Sequence, residues 1–152
     1  MWVYVKENGE ILTVSEKDVV ASGYARKYEY QGEIPNERLD FYLFDGEKFV
    51  KKGEQQIVSI LKEEINDLRK SKTSSLLSQT DYVLLKLQEA QIEEDTDKYN
   101  ALLQQYSGIL AQRQAIRQWN DGIEQRIQNA TTKDELVTIE AEIDSYTGDA
   151  NE

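Results

Sequence analysis

The feature that most constrains this chain is a run of side chains at Tyr99, Leu102, Tyr106, Ile109, Arg113, Ile116, Asn120, Ile123, Ile127 and Ala130. The steps alternate between three and four, which is a heptad seam sustained over more than four repeats. Position a holds Tyr99, Tyr106, Arg113, Asn120 and Ile127, and position d holds Leu102, Ile109, Ile116, Ile123 and Ala130. A single helix over residues 98–130 would be about 50 Å long. Such a seam must face another helix, supplied by this chain or by another copy. Arg113 and Asn120 are polar at a, which costs stability but fixes register and partner number. Isoleucine at d leans away from a simple dimer and toward a trimer. The seam is therefore a candidate protein-interaction surface and the chain a candidate homo-oligomer.

The rest of the second part of the chain is also helical in pattern. Ile57, Ile60, Leu61, Ile65 and Leu68 predict an amphipathic helix over 54–72, and 71–79 reads as a polar connector. A second helix over 81–94 is expected to be capped by Thr80 or Ser78, with Val83, Leu84, Leu87 and Ala90 facing inward. Asp95-Thr96-Asp97 interrupts it before the seam. Thr132-Lys133-Asp134-Glu135 fits a capping box opening a last helix, which carries Leu136, Ile139 and Ile143 and stops before Gly148. Gly108 and Gly122 sit inside the seam helix and read as tolerated, with close approach or bending as the other readings. Trp119, at g, reads as a packing residue.

Residues 1–53 differ in kind. They hold nine of the fourteen aromatics, five of the eight glycines and Pro35. Trp2-Val3-Tyr4-Val5 and Ile11 to Val14 flank Asn8-Gly9, and Phe41-Tyr42-Leu43-Phe44 meets Phe49-Val50 across Asp45-Gly46. Both dipeptides predict type I′ hairpin turns. Tyr28-Glu29-Tyr30 alternates like a half-buried strand. The expected fold is α+β: a small antiparallel β-hairpin head over 1–53, then a long helical, partly coiled-coil body over 54–152. Such a thin sheet buries little by itself. Its aromatics, Trp2, Tyr4, Phe41, Phe44 and Phe49 in particular, exceed what one face can cover, and they are the candidate partner-binding residues of the head.

Charge and missing residue types narrow the function classes. The net charge is −11, and nine of those negative charges belong to residues 54–152. Phosphate backbones and anionic membrane surfaces repel such a chain, so neither nucleic acid nor membrane is an expected partner. There is no Cys and no His. Thiolate chemistry, the commonest metal ligands and the usual neutral-pH base are thereby lost. Asp95 to Asp97 begins like a calcium loop, but no glycine follows at the required place and Tyr99 occupies a ligand position. The expectation is no metal, no cofactor and no catalytic residue. The paired carboxylates at Glu63-Glu64, Glu93-Glu94 and 134–144 read as solvated helix faces rather than as a hydrolase dyad. The first residues lack a basic region followed by an apolar stretch, and no apolar run reaches membrane-spanning length. A product made in the cytosol is expected.

The order of parts resembles small proteins encoded beside the receptor-binding or tail-fibre genes of tailed phages. Those often open with an aromatic strand, an Asn-Gly or Asp-Gly turn and an Ile-containing strand, here Trp2-Val3-Tyr4 to Asn8-Gly9-Glu10-Ile11. An aromatic strand with a second Asp-Gly turn follows, here 41–49. Tail-fibre assembly and accessory proteins also carry a helical element with a Thr-Asp-aromatic opening and a Tyr-centred second helix. Thr80-Asp81-Tyr82-Val83-Leu84-Leu85 and Tyr99-Asn100-Ala101-Leu102-Leu103 look like that element. The resemblance spans about two-thirds of the chain. It implies a non-enzymatic binding protein of the tail, either an assembly factor for the fibre or receptor-binding protein or a small baseplate component. It implies residence in the host cytoplasm during synthesis, and then in the virion tail for a structural component. Assembly proteins often have Trp where Tyr82 stands and a Pro-bearing link where Asp95-Thr96-Asp97 stands, which leaves room for the structural role. A cellular coiled-coil adaptor is the rival reading.

Overall fold

The structure, a computed structural model, describes residues 1–149. It divides into two compact units, Met1–Ile57 and a second that begins at Val58. In the first, β1 (Trp2–Val5) lies between β2 (Ile11–Ser15) and β3 (Arg26–Glu29), and β4 (Tyr42–Phe44) pairs with β5 (Phe49–Lys51). All pairings are antiparallel, with Val3 opposite both Val14 and Tyr28, and Phe44 opposite Phe49. A bridge between Glu10 and Leu43 joins the two sheets. A 3₁₀ turn over Leu39–Phe41 takes up the first residue of the aromatic run.

Neither hairpin turn is of type I′, which needs positive φ at both central residues. Gly9 has φ +83°, but Asn8 does not share the left-handed region. Gly9 N–H donates to the Lys6 carbonyl, and Lys6 N–H to the Glu10 carbonyl. This is a three-residue loop whose left-handed glycine makes a bulge. In the second hairpin only Gly46 has positive φ, +102°. The Asp45 carboxylate accepts from Glu47 and Lys48 N–H, both at 2.9 Å, which does locally what a second left-handed residue would otherwise do.

The second part of the chain is helical: α1 (Glu54–Ser78), α2 (Asp81–Ile92), α3 (Thr96–Gln105), α4 (Ser107–Asn129) and α5 (Lys133–Ser145). Helix α1 runs through the expected connector. Residues Lys72, Thr73, Leu76 and Leu77 keep one side partly buried there, so the polar run is the solvent face of a continuing helix. The expected seam helix is two helices, broken at Tyr106 (φ −103°, ψ 17°). Ser107 and Gly108 follow the break, and kinks commonly sit at such pairs. A Cβ at either Gly108 or Gly122 would meet nothing within 4 Å, so neither serves a close approach; Gly108 lies at the bend and Gly122 is merely tolerated.

Cross-helix bonds give the directions. Lys62 Nζ reaches the Gln128 carbonyl at 2.8 Å, Arg69 reaches Asn120 at 2.6 Å, and Arg113 reaches the Leu77 carbonyl at 2.6 Å, so α1 and α4 are antiparallel. Arg126 pairs with both oxygens of Glu142, and Trp119 stacks on Tyr146 with centroids 3.9 Å apart, so α5 returns along α4. Leu61, Ile65, Ile116, Ile123, Ile127, Leu136, Ile139 and Ile143 are buried in this unit. Helices α2 and α3 form a hairpin at its far end. Its turn is a Schellman motif: Asp95 N–H donates to the Ala90 carbonyl, Glu94 N–H to the Gln91 carbonyl, and Glu94 takes the left-handed position at φ 56°. Asp95 then caps α3 by accepting from Lys98 N–H at 3.0 Å. Thr132 caps α5 by accepting from Glu135 N–H, while the Glu135 carboxylate reaches back to Thr131 rather than to Thr132.

Candidate functional site

All the seam positions lie inward. Arg113, Ile116, Ile123, Ile127 and Ala130 are buried, and Tyr99, Leu102, Tyr106, Ile109 and Asn120 are partly so. What faces them is the same chain. Helix α4 bonds to α1 and packs on α5, and α3 packs on α2. The polar a positions serve that intrachain pairing. The Asn120 side-chain oxygen accepts from Arg69 Nη1 at 2.6 Å and from Thr73 Oγ1 at 2.9 Å. Arg113 Nη1 donates to the Leu77 carbonyl and, at 2.8 Å, to Thr80 Oγ1, and its Nη2 lies 3.0 Å from Asp81 Oδ1. One guanidinium thus holds the last turn of α1, the residue before α2 and the first acid of α2, with only its Nε unpartnered. Thr80 stands at the N-terminus of α2 as expected, but its hydroxyl bonds Leu77 and Arg113 instead of capping.

The head aromatics assigned to a partner are largely interior. Tyr4, Phe41 and Phe44 are buried, and Trp2 and Phe49 are half-buried. The head covers more rings than one sheet face allows because it uses both faces of β1. On one, Val3, Val5 and Phe44 form the core with Tyr28, Tyr30 and Phe49 around them. The rings of Phe44, Phe49 and Tyr30 meet edge-on at 5.1 to 5.5 Å. On the other, Tyr4 Oη lies 2.8 Å from Asp18 Oδ1 and accepts from Val19 N–H at 2.8 Å. Burial raises the Tyr4 hydroxyl above its usual range. The Lys27 ammonium, 2.7 Å from Asp18, holds that carboxyl below the ordinary value. Open on the head are the outer edges of β2 and β3 and an apolar tip at Val19-Val20, where Val20 is fully exposed.

The largest uncovered aliphatic surface of the helical unit lies on α2, outside the residues that periodicity singles out. Val83, Leu87 and Ala90 are buried, as expected. Leu84, placed inward by its spacing, is 37% exposed, while Leu85 and Ile92, not singled out, are 60% and 75% exposed. The Leu84-Leu85 doublet carried the signal, since adjacent helix positions lie about 100° apart and cannot both point inward. Facing α2, α3 has no buried residue. Beside the stripe, Lys86 Nζ reaches Tyr106 Oη at 3.1 Å, between the rings of Tyr82 and Tyr106.

Among the described residues no group of three or more Asp or Glu is placed to hold a metal ion, and no helix is long and apolar enough to cross a membrane. Comparison with protein-family models, with curated proteins and with solved structures gives no match.

Proposed function

We propose that this chain is a non-enzymatic binding protein of a phage tail. It acts on a tail-fibre, receptor-binding or baseplate protein, as an assembly factor or as a small component of the tail tip. The observation that carries the binding role is the outer face of α2. A helix that is apolar on two sides yet covered on one is an incomplete interface. The open edge of β3 adds backbone groups to which a partner strand could pair. The tail assignment draws on the hairpin openings at 2–11 and 41–49 and on the two helix openings at 80–85 and 99–103.

The test is co-expression of the tagged full-length chain with the genes that neighbour it, followed by purification and mass spectrometry of what is retained and of purified particles. Retention of one fibre, receptor-binding or baseplate protein supports the reading. Presence in the particle then marks a structural component, and absence from it an assembly factor. If no tail protein is retained and none of the chain is in the particle, the reading fails.

A further inference from the structure

Within α2, Leu85 and Ile92 are seven residues apart. At 3.6 residues per turn they share nearly one azimuth, about 10 Å apart along the axis and opposite the buried Val83, Leu87 and Ala90. Leu84 and Tyr82, 37% and 45% exposed, flank the pair on either side. This is one heptad of an unpartnered apolar stripe. The charge around it is net negative. Residues 81–98 hold six acids (Asp81, Glu89, Glu93, Glu94, Asp95 and Asp97) and two bases, Lys86 and Lys98. Arg113 pairs with Asp81, Lys98 with Glu93, and the Asp95 carboxylate caps α3, so Glu89, Glu94 and Asp97 carry the excess. Lys86 is engaged with Tyr82 and Tyr106 at one border of the stripe.

We propose that the outer face of α2 docks an amphipathic helix of the partner, one that carries aliphatic side chains seven residues apart with Lys or Arg beside them. The proposal deepens the binding role given above and rests on it. Charge selects this occupant over the others. A second copy packed antiparallel about a two-fold axis would set Leu85 against Ile92 and bring Glu89 near its own mate, with further acids at each end. Like charges across such a contact oppose it. An anionic membrane meets the same repulsion. A helix with a basic rim brings the missing apolar cover and the opposite charge together.

The probe is a fluorescein-labelled synthetic helix of about three heptads, with leucines at seven-residue spacing and lysines on their flanks. Its control has the lysines replaced by glutamates. Both are titrated with the full-length protein and read by anisotropy. The lysine peptide is expected to bind, with affinity falling about tenfold or more between low and high salt. Leu85→Asp and Ile92→Asp are each expected to weaken it about tenfold or more. Circular-dichroism melts of both variants should match the parent, because both side chains face water. Equal binding of the two peptides, no binding of either, or undiminished binding by folded variants overturns the proposal. So does parent self-association in sedimentation that Ile92→Asp abolishes, since a second copy would then be the occupant. If the co-purified tail protein is retained equally by Ile92→Asp, the docking proposal falls and the binding role stands. If the parent retains no tail protein, the binding role itself falls.

Discussion

Glu94 shows how one residue closes a helix hairpin against its own preference. It occupies the left-handed position of the α2–α3 turn at φ 56°, where glycine carries no Cβ penalty. Glu94→Gly is expected to stabilise the helical unit by about 1 kcal/mol, read as a higher midpoint in urea with an unchanged slope. Asp45 works the other way, since its carboxylate suits its turn. The backbone N–H groups of Lys48 and Glu47 hold its folded pKa below the usual value, and Arg126 does the same for Glu142. A depressed folded pKa gives stability that is fully present above the unfolded carboxylate value, about 4, and that is lost as pH falls through the folded value. Urea midpoints are therefore expected to drop on acidification below about pH 4, and Asp45→Asn should flatten that acid limb.

At the scale of elements, the seam was readable and its cover was not. Periodicity identifies which side of a helix is buried, and each heptad position from Tyr99 to Ala130 does lie inward. It carries no information on whose helix lies opposite. Nor does it mark the break at Tyr106, because a and d continue across the bend while only Ser107 and Gly108 hint at it. In the head, strand positions followed from apolar and aromatic runs flanking Asn-Gly and Asp-Gly, but turn types did not, since those dipeptides fit more than one loop once neighbouring side chains can satisfy backbone donors. The uncovered stripe on α2 was missed because Leu85 and Ile92 break the inward pattern instead of extending it. Arg113 is the element-scale test. It sits buried at 4% exposure, and removing it takes a hydrogen-bond donor from the Leu77 carbonyl and the Thr80 hydroxyl and leaves a void, while the exposed Asp81 carboxylate stays solvated. Arg113→Ala is expected to destabilise the helical unit by about 2 kcal/mol in chemical denaturation, from the lost hydrogen bonds and the lost packing of its stem. Arg113→Lys is expected to recover little, because one ammonium cannot reproduce the fork.

For the molecule as a whole, the α1–α2 junction at Gln79 and Thr80 and the α3–α4 break at Tyr106 are the two interruptions between the paired helices and their hairpin. Arg113 clasps the first of them from α4. Beyond that clasp the chain buries only Val83, Leu87 and Ala90, and α3 buries nothing. Cooperativity should therefore be divided. Native-state amide exchange is expected to show 81–105 opening as a unit of its own, at lower free energy than Ile65, Ile123 and Ile139, which exchange only with global unfolding. Equal protection throughout would mean that the hairpin is bonded more tightly than its burial accounts for. The surface offered by Leu85 and Ile92 then rides on the least protected part of the helical unit, and a bound helix should register as slowed exchange there first.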